Sequence, residues 1–256
     1  NNNPKITNVN HMTNLQILNA SWHCGIDDNG IKNLNLIKLK ALYNLKITNV
    51  NHMNNLKILC ASWYCGIDDN GIKNLNLIEL DVSNNPKITN VNHMTNLQIL
   101  DAFGYSGIGD NGIKDLNLIK LNAWNNAKIT NVNHMTNLQI LNASGENCGI
   151  NDNSIKNLNL IELDAYENPK ITNINHMTNL QILDATYNCG IDDNCIKNLN
   201  LIELNVSNNY KITNVNHMTN LQILNASENC GLDDNGIKNL NLIKLDASDN
   251  PKITKK

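Results

Sequence analysis

The sequence predicts a right-handed α/β solenoid, with a parallel β-sheet along the concave side and short helical or 3₁₀ turns on the convex side. Two observations carry this. A leucine frame recurs from end to end, opening at Leu15, Leu36, Leu56, Leu77, Leu97, Leu118, Leu138, Leu160, Leu180, Leu201, Leu221 and Leu242, in steps of 20 or 21 residues in alternation with one step of 22 between Leu138 and Leu160. A period this short and regular announces stacked coils. Within each frame, the apolar residues at positions four and six stand at strand spacing, as Leu18 and Ala20 do in the first coil and Leu80 and Val82 in the fourth.

Two coil types alternate: TNLQILxASxNCGIDDNGIKNLN and LIxLxxSxNPKITNVNHM. In both, the strand opens the coil, and consecutive strands are expected to pair in parallel. Position six is Ala or Val almost throughout, small enough for the strand layer to approach the opposite wall closely. In the return segments of the first type, Asp28, Asp69, Asp110, Asp152, Asp193 and Asp234 precede runs such as NGIKNL, whose Ile and Leu three apart suit one or two helical turns. These aspartates are expected to cap the free amides of the turn. In the second type, Val9 and Met12, three apart, fit a short 3₁₀ or irregular turn.

The stretch Leu180 to Ile191, LQILDATYNCGI, reads L-x-x-L-x-A-x-x-N-C-G-I. It resembles the leucine-rich repeat family, and the resemblance covers nearly the whole chain. The Asn-rich style resembles repeat proteins of AT-rich microbes and large DNA viruses. The resemblance implies a leucine-rich repeat superhelix forming a single domain over 1–256, of about twelve coils. It also implies the family's asparagine ladder at position nine: Asn44, Asn85, Asn126, Asn168, Asn209 and Asn250 in second-type coils, Asn188 and Asn229 in first-type ones. A buried amide there satisfies backbone groups where the strand leaves the sheet. His23, Tyr64 and Tyr105 depart from the slot, and near Asn147 the extra residue of the long step predicts a local bulge. The chain opens on NNNPKIT and closes on NPKITKK, both inside a repeat, which reads as a fragment of a longer protein.

Composition narrows the partners. Net charge is −3, every basic residue is Lys, and 57 residues are Asn, a pairing that reads as A/T-rich codon usage. No basic face is evident, so nucleic acid is not an expected partner. No apolar run approaches the roughly 20 residues of a membrane span. Cys24, Cys65, Cys148, Cys189 and Cys230 occupy the slot after the ladder in every second coil. Coils about 4.8 Å apart place them roughly 10 Å from one another, beyond the ~7 Å limit for a disulfide. They are expected to be reduced thiols packed as small hydrophobes, which points to an intracellular protein. Sequons at Asn19, Asn142, Asn205 and Asn225 fall on strands, where a glycan would obstruct the sheet.

No catalytic, metal or cofactor site is expected. His11, His52, His93, His134, His176 and His217 recur two coils apart, too far to share an ion, and read as packing or capping residues. The DDNG acids lack the spacing and closing Glu of a calcium loop. Cys189 and Cys195 are not a C-x-x-C pair, and neither a Gly-rich phosphate loop nor a G-x-S-x-G elbow is present.

The informative signal lies in the differences between repeats. All ten aromatics occupy positions seven to ten of their coils, varying from coil to coil where side chains face the concave surface or its rim. Trp22, Leu42, Tyr43, Trp63, Phe103 and Trp124, continued by Tyr166 and Tyr187, form the candidate binding surface; the alternative is drift at tolerant positions. Acidic and amide residues at position five make the C-terminal half of the face more polar. The resemblance implies a scaffold that binds another protein and is not an enzyme. Two other readings stand: the substrate-recognition arm of a larger enzyme or ubiquitin-ligase adaptor, and a carbohydrate-binding module using Trp22, Trp63 and Trp124. Open strand edges at Leu15 to Ser21 and Lys244 to Ser248 suggest fraying or end-to-end self-association, only partly blunted by Lys255 and Lys256.

Overall fold

Each coil opens with a three-residue strand whose middle leucine points inward. The computed structural model describes residues 3–254 and divides into two units, Asn1–Asn122 and Ala123–Lys256. In the first, β1 (Ile17–Asn19), β2 (Lys38–Lys40), β3 (Ile58–Cys60), β4 (Glu79–Asp81), β5 (Ile99–Asp101) and β6 (Lys120–Asn122) pair in parallel in chain order. The second repeats this with β7 (Ile140–Asn142), β8 (Glu162–Asp164), β9 (Ile182–Asp184), β10 (Glu203–Asn205), β11 (Ile223–Asn225) and β12 (Lys244–Asp246). Within each unit leucine meets leucine at every step, for example Leu59 with Leu80 and Leu183 with Leu204. A one-residue slip would turn these buried side chains to solvent, so burial fixes the register. Lys255 and Lys256 lie outside the described residues.

Among the described residues five short helices form on the return side: α1 (Asp28–Ile31), α2 (Asp69–Ile72), α3 (Asp110–Ile113), α4 (Asp152–Ile155) and α5 (Asp193–Ile196). Their Ile residues, with Leu34, Leu75 and equivalents, close the core against the strands. In second-type coils Val50 and Met53 do the same from an irregular turn, closed by a 3.1 Å bond from the Met53 amide to the Val50 carbonyl. The run after Asp234 remains a turn without a helix; there Ile237 and Leu240 are only half-buried, so less packing holds the segment.

The helix caps differ from expectation. Asp28, Asp69, Asp152 and Asp193 are the first helical residues, and the N-cap is the residue before each: Asp27, Asp68, Asn151 and Asp192 accept the amide three positions on, while Gly109 caps α3 without a side chain. The freed carboxylates clamp the following coil. Asp28 accepts the Thr48 amide at 2.8 Å, the Thr48 hydroxyl at 2.6 Å and the Asn49 amide at 3.2 Å. Asp69, Asp152 and Asp193 repeat the arrangement with Thr89, Thr172 and Thr213.

The ladder also needs correction. Asn44 donates to the carbonyls of Ala20 and Ile26 at 2.8 and 3.1 Å and accepts the Lys46 amide, and Asn85, Asn168, Asn209 and Asn250 do likewise. Asn188 and Asn229, however, are exposed. In first-type coils the turn holds one more residue before it dives inward, so the buried slot falls on Cys24, Cys65, Ser106, Cys148, Cys189 and Cys230. His23, Tyr64 and Tyr105 therefore stand at a solvent position and replace nothing. At the long step Glu146 and Asn147 loop out together, and Cys148 recovers the register. All seven cysteines are free thiols. The glycine after each ladder cysteine answers to close approach: a Cβ at Gly66 would lie 2.6 Å from the carbonyl oxygens of both Leu45 and Ile47.

Much of the asparagine has backbone work between coils. Asn51 donates to the Asn70 carbonyl at 2.6 Å and accepts the Asn74 amide at 2.9 Å, and the Asn35 side chain accepts the Asn55 amide at 2.8 Å. The histidines cap helix ends: His52, His93, His176 and His217 reach the carbonyls of Ile31, Ile72, Ile155 and Ile196 at 3.0–3.2 Å.

Candidate interaction surface

Where the strand leaves the sheet, position eight takes the left-handed backbone conformation in every coil. The φ values run from Trp22 at 65°, Tyr43 at 58° and Trp63 at 54° through Asn84, Gly104, Asn125, Gly145, Glu167, Tyr187, Asn208 and Glu228 to Asp249 at 55°. Gly and Asn adopt this conformation readily; a bulky side chain there costs about 1–2 kcal/mol. The fold imposes the conformation, and four coils meet it with a Trp or Tyr. Trp63 is followed by Tyr64, also left-handed at φ 56°.

In the first unit these residues bring their rings together. Trp22 stacks on Tyr43 with centroids 4.7 Å apart and planes at 25°, and Tyr43 stacks on Trp63 at 5.6 Å and 27°. Phe103 meets Trp63 edge-on at 6.1 Å and 74°, two coils along. Backbone bonds to the next coil hold the stack: the amides of Trp22, Tyr43 and Trp63 donate to the carbonyls of Leu42, Ser62 and Ser83 at 2.6, 3.3 and 2.7 Å. Trp22 is 46% exposed, while Leu42, Tyr43, Trp63 and Phe103 are half-buried. Beside the stack lies a largely apolar groove of about 570 Å³, lined by Pro4, Trp22, His23, Leu45, Lys46 and Tyr64.

Trp124, Tyr166 and Tyr187 belong to the second unit. Tyr166 and Tyr187 meet edge-to-face at 5.3 Å and 68°. Among the described residues no aromatic is buried, so none is a core residue. Tyr64 also lines the groove; in the sequence it is one of the ten aromatics at positions seven to ten and departs from the ladder slot, and it stands outside the candidate binding surface.

The outward sheet face is polar at position five. Burial pushes the carboxyl groups of Asp101 and Asp184 above the usual range, and the adjacent charges of Asp81 and Asp164 push the same way. Burial raises the thiols of Cys65, Cys148 and Cys189 to about 11, and burial together with the Asp81 charge raises Cys60 to about 12. These thiols stay protonated at neutral pH and are poor nucleophiles.

No protein-family model and no curated protein matches the chain. Solved structures do. The chain is similar to the functional domain of InlJ from Listeria monocytogenes, which includes a cysteine ladder, with a TM-score of 0.55 and 21% identity over 94% of this chain and 55% of that one. An internalin (inlF) from the same organism gives a TM-score of 0.55 at 19% identity over 93% of this chain and 82% of that one. TLR13, in a complex with ssRNA13, gives 0.50 at 20% identity over 91% of this chain and 41% of that one. The chain thus spans just over half the length of the InlJ structure. The fold is the leucine-rich repeat solenoid.

Proposed function

We propose that the chain is a protein-binding leucine-rich repeat scaffold, without chemistry of its own, whose first unit docks a partner on the stack of Trp22, Tyr43 and Trp63 and the groove beside it. The observation that carries this reading is the occupation of the left-handed position by large rings. Asn or Gly meets the same backbone demand elsewhere in the chain at lower cost, and strain of this kind gathers at ligand-contact sites. Exposed Trp and Tyr on a rigid support are the usual anchors of protein interfaces.

The stacking favours a protein over a sugar. Tyr43 is sandwiched between Trp22 and Trp63, so the middle ring of the stack offers an edge where a sugar ring needs an open face. The net charge of −3 and absence of arginine also speak for a protein partner over a polyanion. The buried free thiols fit a reducing, intracellular setting.

The test is a capture experiment with the parent chain and the folded Trp22→Ala/Trp63→Ala variant. A partner retained by the parent, lost by this variant and retained by Tyr210→Ala supports the reading. A partner retained equally by all three rejects it.

A further inference from the structure

The outward sheet face of the second unit carries a different chemistry. Its strands β7 to β11 present Glu162, Asp164, Asp184 and Glu203 at positions three and five, isoleucine on β7, β9 and β11, amides elsewhere, and no lysine. The register places Ile182 between two glutamates, paired with Glu162 on one side and Glu203 on the other. Beside it Asp164 pairs with Asp184.

The two kinds of acid are employed differently. Asp164 accepts Ser144 and Asn142, and Asp184 accepts Thr186 and Asn205, so both are held in place by the sheet's own side chains. Glu162 and Glu203 have no side-chain hydrogen bond among the described residues and are free to engage something else. At the ends of the same strands stand Tyr166 and Tyr187, the latter 41% exposed.

We propose that this face, from β8 to β10 with the Tyr166–Tyr187 wall, docks an extended segment of a partner protein bearing arginine or lysine. An aliphatic stem lies along Ile182 while its cationic head is flanked by Glu162 and Glu203, and a neighbouring cation packs against a tyrosine ring. Each half of such a side chain meets its complement: apolar stem on isoleucine, charge between carboxylates, planar guanidinium on an aromatic face. The carboxylates of β8 to β10, with the lysine of the face standing only on β12, also steer a cationic partner. A metal ion fits poorly, because Glu162 and Glu203 stand two strands apart, roughly 10 Å, whereas calcium ligands lie about 2.3–2.6 Å from the ion. The proposal concerns the second unit alone and does not depend on the aromatic stack of the first.

The test titrates the whole chain by calorimetry with a seven-residue peptide alternating Arg and Val, and with its Glu–Val counterpart. The Arg–Val peptide should bind, more weakly as salt rises, and the Glu–Val peptide should not. Glu162→Gln/Glu203→Gln, which removes charge without breaking a hydrogen bond, should weaken binding at least tenfold with an unchanged melt. Glu79→Gln on β4 should bind as the parent does. The proposal is overturned if the double variant binds like the parent, if Glu79→Gln loses as much, if both peptides bind alike, or if neither binds at millimolar concentration. Stoichiometric displacement of the peptide by calcium would assign the face to a cation and also overturn it.

Discussion

Asn209 Nδ2 lies 3.3 Å from Cys189 Sγ while donating to the carbonyls of Ala185 and Ile191 at 2.8 and 3.1 Å. One buried amide thus ties together the turn of the previous coil and the thiol that fills its ladder slot. The slot alternates between Asn and Cys, with Ser106 in one first-type coil, because the two turns differ in length by one residue. Asn209→Ala leaves those buried carbonyls unpaired and should cost about 1–3 kcal/mol. Asn188→Ala, at the exposed neighbour, should stay within about 0.5 kcal/mol. Urea denaturation checks both, and equal losses would refute the assignment.

The Asp193 carboxylate holds the Thr213 amide at 2.8 Å, its hydroxyl at 2.6 Å and the Asn214 amide at 3.2 Å, whereas Asp192 caps α5 locally. Asp193→Ala should therefore destabilise by about 1–2 kcal/mol. It should also speed hydrogen exchange at the Thr213 and Asn214 amides. Asp192→Ala should cost about 1 kcal/mol and leave those two amides protected.

Asp184 supplies a pH prediction. Its carboxyl is raised by burial and by Asp164, so the folded chain holds the proton more tightly than the unfolded one. Its contribution to stability is full below the ordinary Asp range, about 3.9, and is lost as pH rises through the folded value. Asp184→Asn should accordingly raise the melting temperature at pH 7, once the Asn205 amide turns to meet the new group. The advantage should vanish below about pH 4. An advantage that grew with acidity would contradict the assigned direction.

Trp22 separates stability from binding. Trp22→Asn relieves a left-handed backbone worth about 1–2 kcal/mol and removes a ring stack worth about 0.5–1.5 kcal/mol. Stability should change by no more than about 1.5 kcal/mol. Affinity for the captured partner should fall by about 2 kcal/mol, read by calorimetry against a thermal melt of the same sample.

The sequence alone determined the period, the strands and their inward leucines, because burial against identical neighbours leaves a repeat only one register. It also showed that the aromatics avoid the core, since none recurs at an inward slot. Tertiary structure decided what depends on the neighbouring coil. Asp28 is a cross-coil clamp and Asp27 the cap because Thr48 stands within reach of only one of them. Asn188 yields the ladder to Cys189 because a one-residue difference in turn length, which the frame does not reveal, sets which side chain points inward. The stacking of Trp22, Tyr43 and Trp63 likewise follows from a left-handed backbone shared by residues some twenty positions apart. No local pattern encodes that conformation; the turn from sheet to return segment enforces it.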